Sequence, residues 1–306
     1  MYPFIHLGPI TLGSFGLLVA TGLLAAYFVM RADLARRGID ADAAGIIGIT
    51  GLAGLAGARL YHLLETPADF FAHPLPLLFS TMGFAWFGAL VGGFIALVWL
   101  ARSNRMSMLL MLDVASPAAA LGYGIGRIGC LISGDGDYGI PTSLPWGMAF
   151  HPLEPGPRIF HFLQIDRGAL DPSYASNFGR LPLDAIVRVH PTPIYEFLVA
   201  LVIAHFLWHM GPFKKGVGGR KVRRPAGEVF AWYLIATAVV RFLVEFIRIN
   251  PRSFLGLGTD PLEWSSCPPI RVLDGYMTNA QAASVLSLVA GVLLLIVLAR
   301  RKAVPA

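Results

Sequence analysis

The chain has 306 residues, of which 56% are hydrophobic and 14% charged, a balance that would leave a soluble fold short of polar surface. The formal net charge of +6 raises nucleic acid as a partner. The cations cluster at the ends of apolar blocks, however, where membrane topology and anionic lipid account for them, so nucleic-acid binding is set aside.

The apolar blocks run close to the ~20 residues that a helix needs to cross ~30 Å of hydrocarbon. In chain order they predict seven spans, over 12–30, 43–64, 77–101, 109–131, 192–210, 228–248 and 281–299. The expected fold class is therefore all-α, a polytopic membrane protein forming a single transmembrane domain over 1–306. No basic residue precedes the first block and Arg31, Arg36 and Arg37 follow it, which predicts a retained span rather than a cleaved signal. Arg102 and Arg105, then Lys214, Lys215, Arg220, Lys221, Arg223 and Arg224, then Arg300, Arg301 and Lys302 fall on the same side as that first cluster. That side is expected to be cytoplasmic, with the N-terminus outside and the C-terminus inside. The segment 211–227 is then a basic cytoplasmic loop, and 132–191 a small periplasmic head inserted between the fourth and fifth spans.

The charges that the bilayer should exclude carry the most information. Arg59, Arg127, Arg241, Glu196 and Glu245 all fall inside predicted spans, where an arginine at the bilayer centre costs roughly 2.5–3.5 kcal/mol on insertion scales. At ~1.5 Å of rise per residue, Arg127 stands roughly 27 Å up the outward-running fourth span, and Arg241 and Glu245 about 20 and 26 Å up the sixth. Glu196 lies less than ~10 Å below the outer edge on the inward-running fifth span, and Arg59 is late in the outward-running second. The charges converge on one layer in the outer half of the membrane. Arg241, Glu245 and Arg248 also share a helix face by their spacing of four and seven. An ion-paired structural knot, or snorkelling for Arg59 and Arg248, is the plainer reading. Several helices delivering charge to one depth point instead to a ligand site, and guanidinium forks match phosphate oxygens, which at this depth belong to phospholipid headgroups.

The run Gly122-Tyr123-Gly124-Ile125-Gly126-Arg127-Ile128-Gly129 lacks a Walker lysine and a strand-to-helix context, so it is not a nucleotide loop. Its glycines read as helix-packing positions, as do Gly48, Gly51, Gly54 and Gly57 on the second span and Gly88, Gly92 and Gly93 on the third. Asp135-Gly136-Asp137-Tyr138-Gly139 reads first as a turn; its alternating aspartates do not complete a calcium loop, and a carboxylate at the cavity mouth suits chemistry or closure of the site. His190-Pro191-Thr192-Pro193-Ile194-Tyr195-Glu196 opens the fifth span, and His190 there is either structural or a proton carrier. No residue set has zinc-ligand spacing and no nucleophile elbow occurs, so neither metal nor cofactor is expected. Cys130 and Cys267 both map to the outer side, and two isolated cysteines specify no pairing.

Leu112 to Pro117 (LDVASP), Gly126-Arg127-Ile128-Gly129, His190 to Glu196, and Arg241 to Arg248 (RFLVEFIR) occur in the order found in prolipoprotein diacylglyceryl transferases, and Gly57-Ala58-Arg59-Leu60 also resembles that family. The resemblance covers most of residues 10–250. It implies a bacterial inner-membrane enzyme that moves a diacylglyceryl group from phosphatidylglycerol to the thiol of a lipobox cysteine in a prolipoprotein, releasing glycerol phosphate. It also implies roles. Arg127 and Arg241 would hold the phosphodiester, Glu245 would orient an arginine, and His190, Asp135, Asp137 and Glu196 are the candidate thiol bases. Arg59, Arg248, Tyr195, Gly126, Gly129 and Cys130 would line the substrate site together with Glu196. Four positions depart from the family pattern: Phe15 stands for a tyrosine, Phe87 for a histidine or tyrosine, Cys130 for an asparagine, and Asp135 or Asp137 for a glutamate. These departures keep two alternatives open, a catalytically silent lipid- or lipoprotein-binding paralogue and, further off, a transporter.

Overall fold

The computed structural model describes residues 4–8, 10–65, 70–71, 74–78, 86–133, 139, 142–149, 188–215, 221–248 and 279–302. Their helices are α1 (Ser14–Arg37), α2 (Ala43–Glu65), the short α3 (Pro74–Leu78), α4 (Trp86–Ser103), α5 (Met108–Ser133), α6 (Thr192–Met210), α7 (Glu228–Val244) and α8 (Asn279–Lys302). Each of the seven predicted spans coincides with a long helix. Five are long and apolar enough to cross a membrane on their own: Ser14–Arg37, Ala43–Leu64, Met108–Ser133, Thr192–Met210 and Ala280–Arg300. The sixth span is shorter than expected, with 17 residues in α7, and α4 carries an apolar stretch of Gly88–Ser103. Exposed Leu52, Leu64, Val91, Ile95, Val202, Leu243 and Leu286 are what a chain bathed in hydrocarbon requires, since lipid removes the penalty that water places on such surfaces.

The fold is all-α as expected, and the described residues add three short antiparallel strand pairs: β1 (Phe4–Leu7) with β2 (Ile10–Gly13), β3 (Met148–Ala149) with β4 (Arg188–Val189), and β5 (Phe213–Lys215) with β6 (Lys221–Arg223). They are two to four residues long, too short for an alternating pattern to emerge against the apolar background. By packing, the chain divides into two compact units, one of residues 1–22, 123–203 and 231–306, the other of residues 23–122 and 204–230.

Within the second unit, Ala26, Met30 and Leu34 of α1, Ala43 and Ile46 of α2, Leu100 and Ala101 of α4, and Met111, Val114 and Ala118 of α5 form one buried apolar cluster. The glycines of α2 and α4 let those helices cross backbone to backbone. A Cβ on Gly57 would collide with the Gly88 carbonyl oxygen, and one on Gly92 with the Ala53 carbonyl oxygen. At Gly48, by contrast, an added Cβ meets nothing within 4 Å, so packing does not explain that glycine. Gly57→Val is therefore expected to destabilise the protein by about 1–3 kcal/mol through overpacking, while Gly48→Ala leaves it unchanged or slightly firmer. Thermal unfolding of the two variants in detergent compares them directly.

The basic end of this unit is ordered by carboxylates. Buried Asp33 receives Arg36 and, at 2.8 Å, Arg37, which carries α1 past its predicted end at residue 30. Arg36 also donates from Nη1 to the Trp208 carbonyl at 2.6 Å and stacks 3.9 Å from the centre of the Trp208 ring. Arg224 donates from Nε to the Met210 carbonyl at 2.8 Å. Two guanidiniums thus satisfy carbonyls left open at the end of α6, where Gly211 takes φ +56°. Glu228 binds Lys214 at 2.9 Å and Arg224 at 2.6 Å, so the segment read as a basic loop contains a paired hairpin. Asp113, 1% exposed, accepts the Gly227 and Phe230 N–H groups at 2.8 Å each. It thereby caps the start of α7 from α5.

Within the first unit, Gly129 of α5 lies against Phe15 and Leu18 of α1, and Gly124 against Ala200 and Phe197 of α6. Gly291 of α8 sits on the Ala231 carbonyl and Leu234 of α7, with Ser287 donating to the Leu234 carbonyl at 3.3 Å. These close approaches pack α5 against α1 and α6, and α8 against α7.

Candidate active site: a glutamate shared by three arginines

The first unit gathers most of the intramembrane charges around Glu196. Its carboxylate, on a residue 2% exposed, pairs through Oε2 with Arg127 and accepts the Tyr123 hydroxyl at 3.2 Å. Through Oε1 it accepts Nη1 of Arg241 at 3.1 Å and Nη1 of Arg248 at 3.2 Å. Arg241 reaches with its other nitrogen, Nη2, to Glu245 at 2.9 Å. Helices α5, α6 and α7 and the turn after α7 each contribute, and this is how the sequence can afford charges that no single span would tolerate.

Among the described residues, three arginines against two glutamates leave one positive charge. Buried ions are held only when paired and hydrogen-bonded, and four of the five are nearly covered: the side chains of Arg127, Arg248, Glu196 and Glu245 are 10%, 6%, 2% and 1% exposed. Arg241, at 29%, is the most open of the five. The cluster therefore offers one reachable guanidinium on a net cationic, preorganised base, which suits a monoanionic phosphodiester and suits the developing charge of a departing phosphate still better.

Local sequence explains the placements. Arg127 and Tyr123 are four residues apart on α5 and so point the same way. Arg241 and Glu245 pair across one turn, as their spacing predicts. The predicted helix to residue 248 is corrected, because α7 stops at Val244 and Glu245–Ile247 form a turn. Hydrogen bonds from the Ile247 N–H to the Val244 carbonyl at 3.0 Å and from the Arg248 N–H to the same carbonyl at 3.1 Å tighten that turn. Arg248 then bridges to Gly139, which brings its side chain to Glu196 by a route that helical periodicity does not describe. Gly139 has no room for a side chain: a Cβ would lie 2.6 Å from His190 Cβ and 2.6 Å from the Ile247 carbonyl oxygen.

Cys130 is buried, with its sulfur 3.6 Å from Arg127 Nη1; Cys267 lies outside the described residues. Gly129 is a packing glycine against Phe15, whereas a Cβ on Gly126 would meet nothing within 4 Å, which corrects its reading as a packing position. His190 and Tyr195 stand together at the mouth of α6, Nδ1 and the phenol oxygen 3.2 Å apart. Arg59, 7% exposed, belongs to α2 in the other unit. Asp135, Asp137 and the side chain of Phe87 lie outside the described residues. Sequence reasoning passed over Tyr123, treating its glycine-rich run as packing, and passed over Trp146, whose indole N–H donates to Tyr195 at 2.8 Å. The spacing of Tyr123 from Arg127 was the available signal for the first; nothing local signalled the second.

Residues 3–297 match the family model for prolipoprotein diacylglyceryl transferase. Among similar proteins, the phosphatidylglycerol–prolipoprotein diacylglyceryl transferase of Geobacter sulfurreducens is 32% identical over 264 residues, covering 84% of this chain and 85% of its own length. The protein of the same name from Clostridium tetani is 31% identical over 246 residues, covering 78% and 82%, and that from Bordetella avium 28% over 274 residues, covering 86% and 88%. The chain, a multi-pass bacterial inner-membrane protein, belongs to the prolipoprotein diacylglyceryl transferase family.

Proposed function

We propose that the protein transfers the diacylglyceryl group of phosphatidylglycerol to the cysteine thiol of prolipoproteins, using the Glu196-centred cluster as its phosphate site. The reading rests on family membership and on one observation: a net cationic cluster whose most accessible member is Arg241. The thiol sulfur attacks the phosphate-bearing carbon of the diacylglyceryl unit, not that of the headgroup glycerol. A C–S bond forms, the C–O bond breaks, and the electron pair leaves on glycerol phosphate. The thiol proton passes to a base, because the thiolate is the nucleophile. Arg241, supported by Arg127 and Arg248, neutralises the oxygen charge that grows as the bond breaks. Glu245 holds Arg241 and Glu196 holds all three arginines. With both oxygens engaged, Glu196 is better suited to organising them than to accepting a proton. Asp135 and Asp137 remain the carboxylate candidates for the base. Incubating the purified protein with phosphatidylglycerol and a lipobox peptide tests the function: the peptide should gain one diacylglyceryl mass, and a peptide left unmodified by folded protein would contradict it.

The same reading orients the molecule. The basic clusters at Arg36 and Arg37, at Arg102 and Arg105, and at 214–224 support a cytoplasmic location for their side, with the N-terminus and the 132–191 head in the periplasm and the C-terminus inside. A cysteine engineered into the 214–224 hairpin should resist a membrane-impermeant maleimide in intact cells and react once the membrane is opened. Labelling in intact cells would reverse the orientation.

A further inference from the structure

His190, Tyr195 and Trp146 form a chain of contacts whose direction can be worked out. An indole nitrogen only donates, so Trp146 Nε1–H, 2.8 Å from the Tyr195 oxygen, gives its proton to that oxygen. His190 Nδ1 is 3.2 Å from the same oxygen, with the two rings edge to face. Among the described residues the Tyr195 hydroxyl has no third partner. Among the described residues, therefore, its own proton is bonded only if Nδ1 accepts it. A neutral imidazole with Nδ1 accepting carries its proton on Nε2, and Nε2 makes no hydrogen bond to the described residues.

The surroundings hold this chain in place. The Gly139 N–H donates to the His190 carbonyl at 2.9 Å, and the Thr142 N–H to the Arg188 carbonyl at 2.9 Å. Met148 and Ala149 pair with Val189 and Arg188. The segment that carries Trp146 is thus stitched to the strand that leads into His190. Gly139 also bridges to Arg248, and a Cβ on it would lie 2.6 Å from both the Ile247 carbonyl oxygen and His190 Cβ, so the chain at His190 and the chain at Arg248 meet at Gly139. Trp146 itself is 56% exposed, which makes its ordered indole contact costly to explain as burial alone.

We propose that Trp146 and Tyr195 are positioning residues that hold His190 with Nδ1 turned to the phenol, so that His190 serves as an Nε2–H donor to the phosphate oxygens of the lipid and not as the thiol base. The inference rests on the transferase reading for its ligand, but the orientation of the ring stands on its own contacts. A base needs a bare nitrogen facing the thiol, and here the bare nitrogen is occupied. An N–H donor that carries no charge would add a directional contact to the phosphate without adding to the positive charge of the arginines.

The test uses full-length protein labelled with 15N-histidine in nanodiscs, with the His190 signals assigned by their loss in His190→Gln. Wild type should show a bare, hydrogen-bonded Nδ1 and a protonated Nε2. The Nδ1 resonance should move in Tyr195→Phe and in Trp146→Phe, and kcat for glycerol phosphate release should fall about tenfold in each, the loss expected for one misdirected hydrogen bond. A proton on Nδ1 in wild type, an Nδ1 resonance unmoved by Tyr195→Phe, or unchanged kcat in both variants would overturn the proposal. Wild-type protein that shows the expected nitrogen signals and releases no glycerol phosphate would overturn the transferase reading and the donor role, leaving the ring orientation intact.

Discussion

Glu196→Gln is expected to unfold much of the protein's first unit before it affects chemistry. The substitution keeps the shape of the side chain but removes the charge that three arginines share, at a residue 2% exposed. Removing one partner of a buried pair typically costs roughly 3–5 kcal/mol because the remaining charge is stranded, and here the cluster would rise from one net positive charge to two. Glutamine can also present only one oxygen, so either the Arg127 and Tyr123 side or the Arg241 and Arg248 side loses its acceptor. The expected result is a large fall in detergent thermal stability and in membrane-inserted protein level. A variant as stable as wild type would show that the arginines find other anions and that Glu196 does not hold the cluster together.

Arg241→Lys is expected to do the reverse, leaving the fold intact and removing activity. Arg241 is the cluster member with the most open side chain, 29% exposed, so its truncation strands less buried charge. Its two nitrogens reach different carboxylates, Nη1 to Glu196 and Nη2 to Glu245. That holds the guanidinium plane in one orientation, which a single ammonium cannot reproduce. Loss of one donor aimed at developing charge costs about 10²–10³ in turnover, and that is the fall expected in thioether formation, with thermal stability close to wild type. Turnover within a few-fold of wild type would move the phosphate away from Arg241. Read together, the two variants separate the glutamate that builds the cluster from the arginine that acts through it.

The convergence of charge was legible from residue spacing alone, because a membrane span has a known direction and a fixed rise. Arg127, Glu196, Arg241 and Glu245 are assembled by the ends of three separate helices, as their estimated depths implied. What escaped the sequence was whatever depended on chain leaving a helix. Arg248 reaches Glu196 from a turn after Val244, the basic 211–227 segment folds into a hairpin tied to Glu228, and Trp146 approaches Tyr195 from the segment after α5. None of these has a period to read. Polar side chains inside glycine-rich runs were also masked by the stronger packing signal, which is why Tyr123 was passed over. The glycines themselves divide only in three dimensions, with Gly57 and Gly92 facing backbone and Gly48 and Gly126 facing open space.

The central claim is that one cluster both binds the phosphodiester and drives its cleavage. The most direct measurement follows glycerol phosphate release and thioether formation together, in nanodiscs containing phosphatidylglycerol and a lipobox peptide, for wild type and for folded Arg241→Lys. Wild type should release one glycerol phosphate per thioether formed, and the variant should lose both products in parallel. Thioether formation at the wild-type rate by Arg241→Lys, or glycerol phosphate released without thioether by wild type, would contradict that claim.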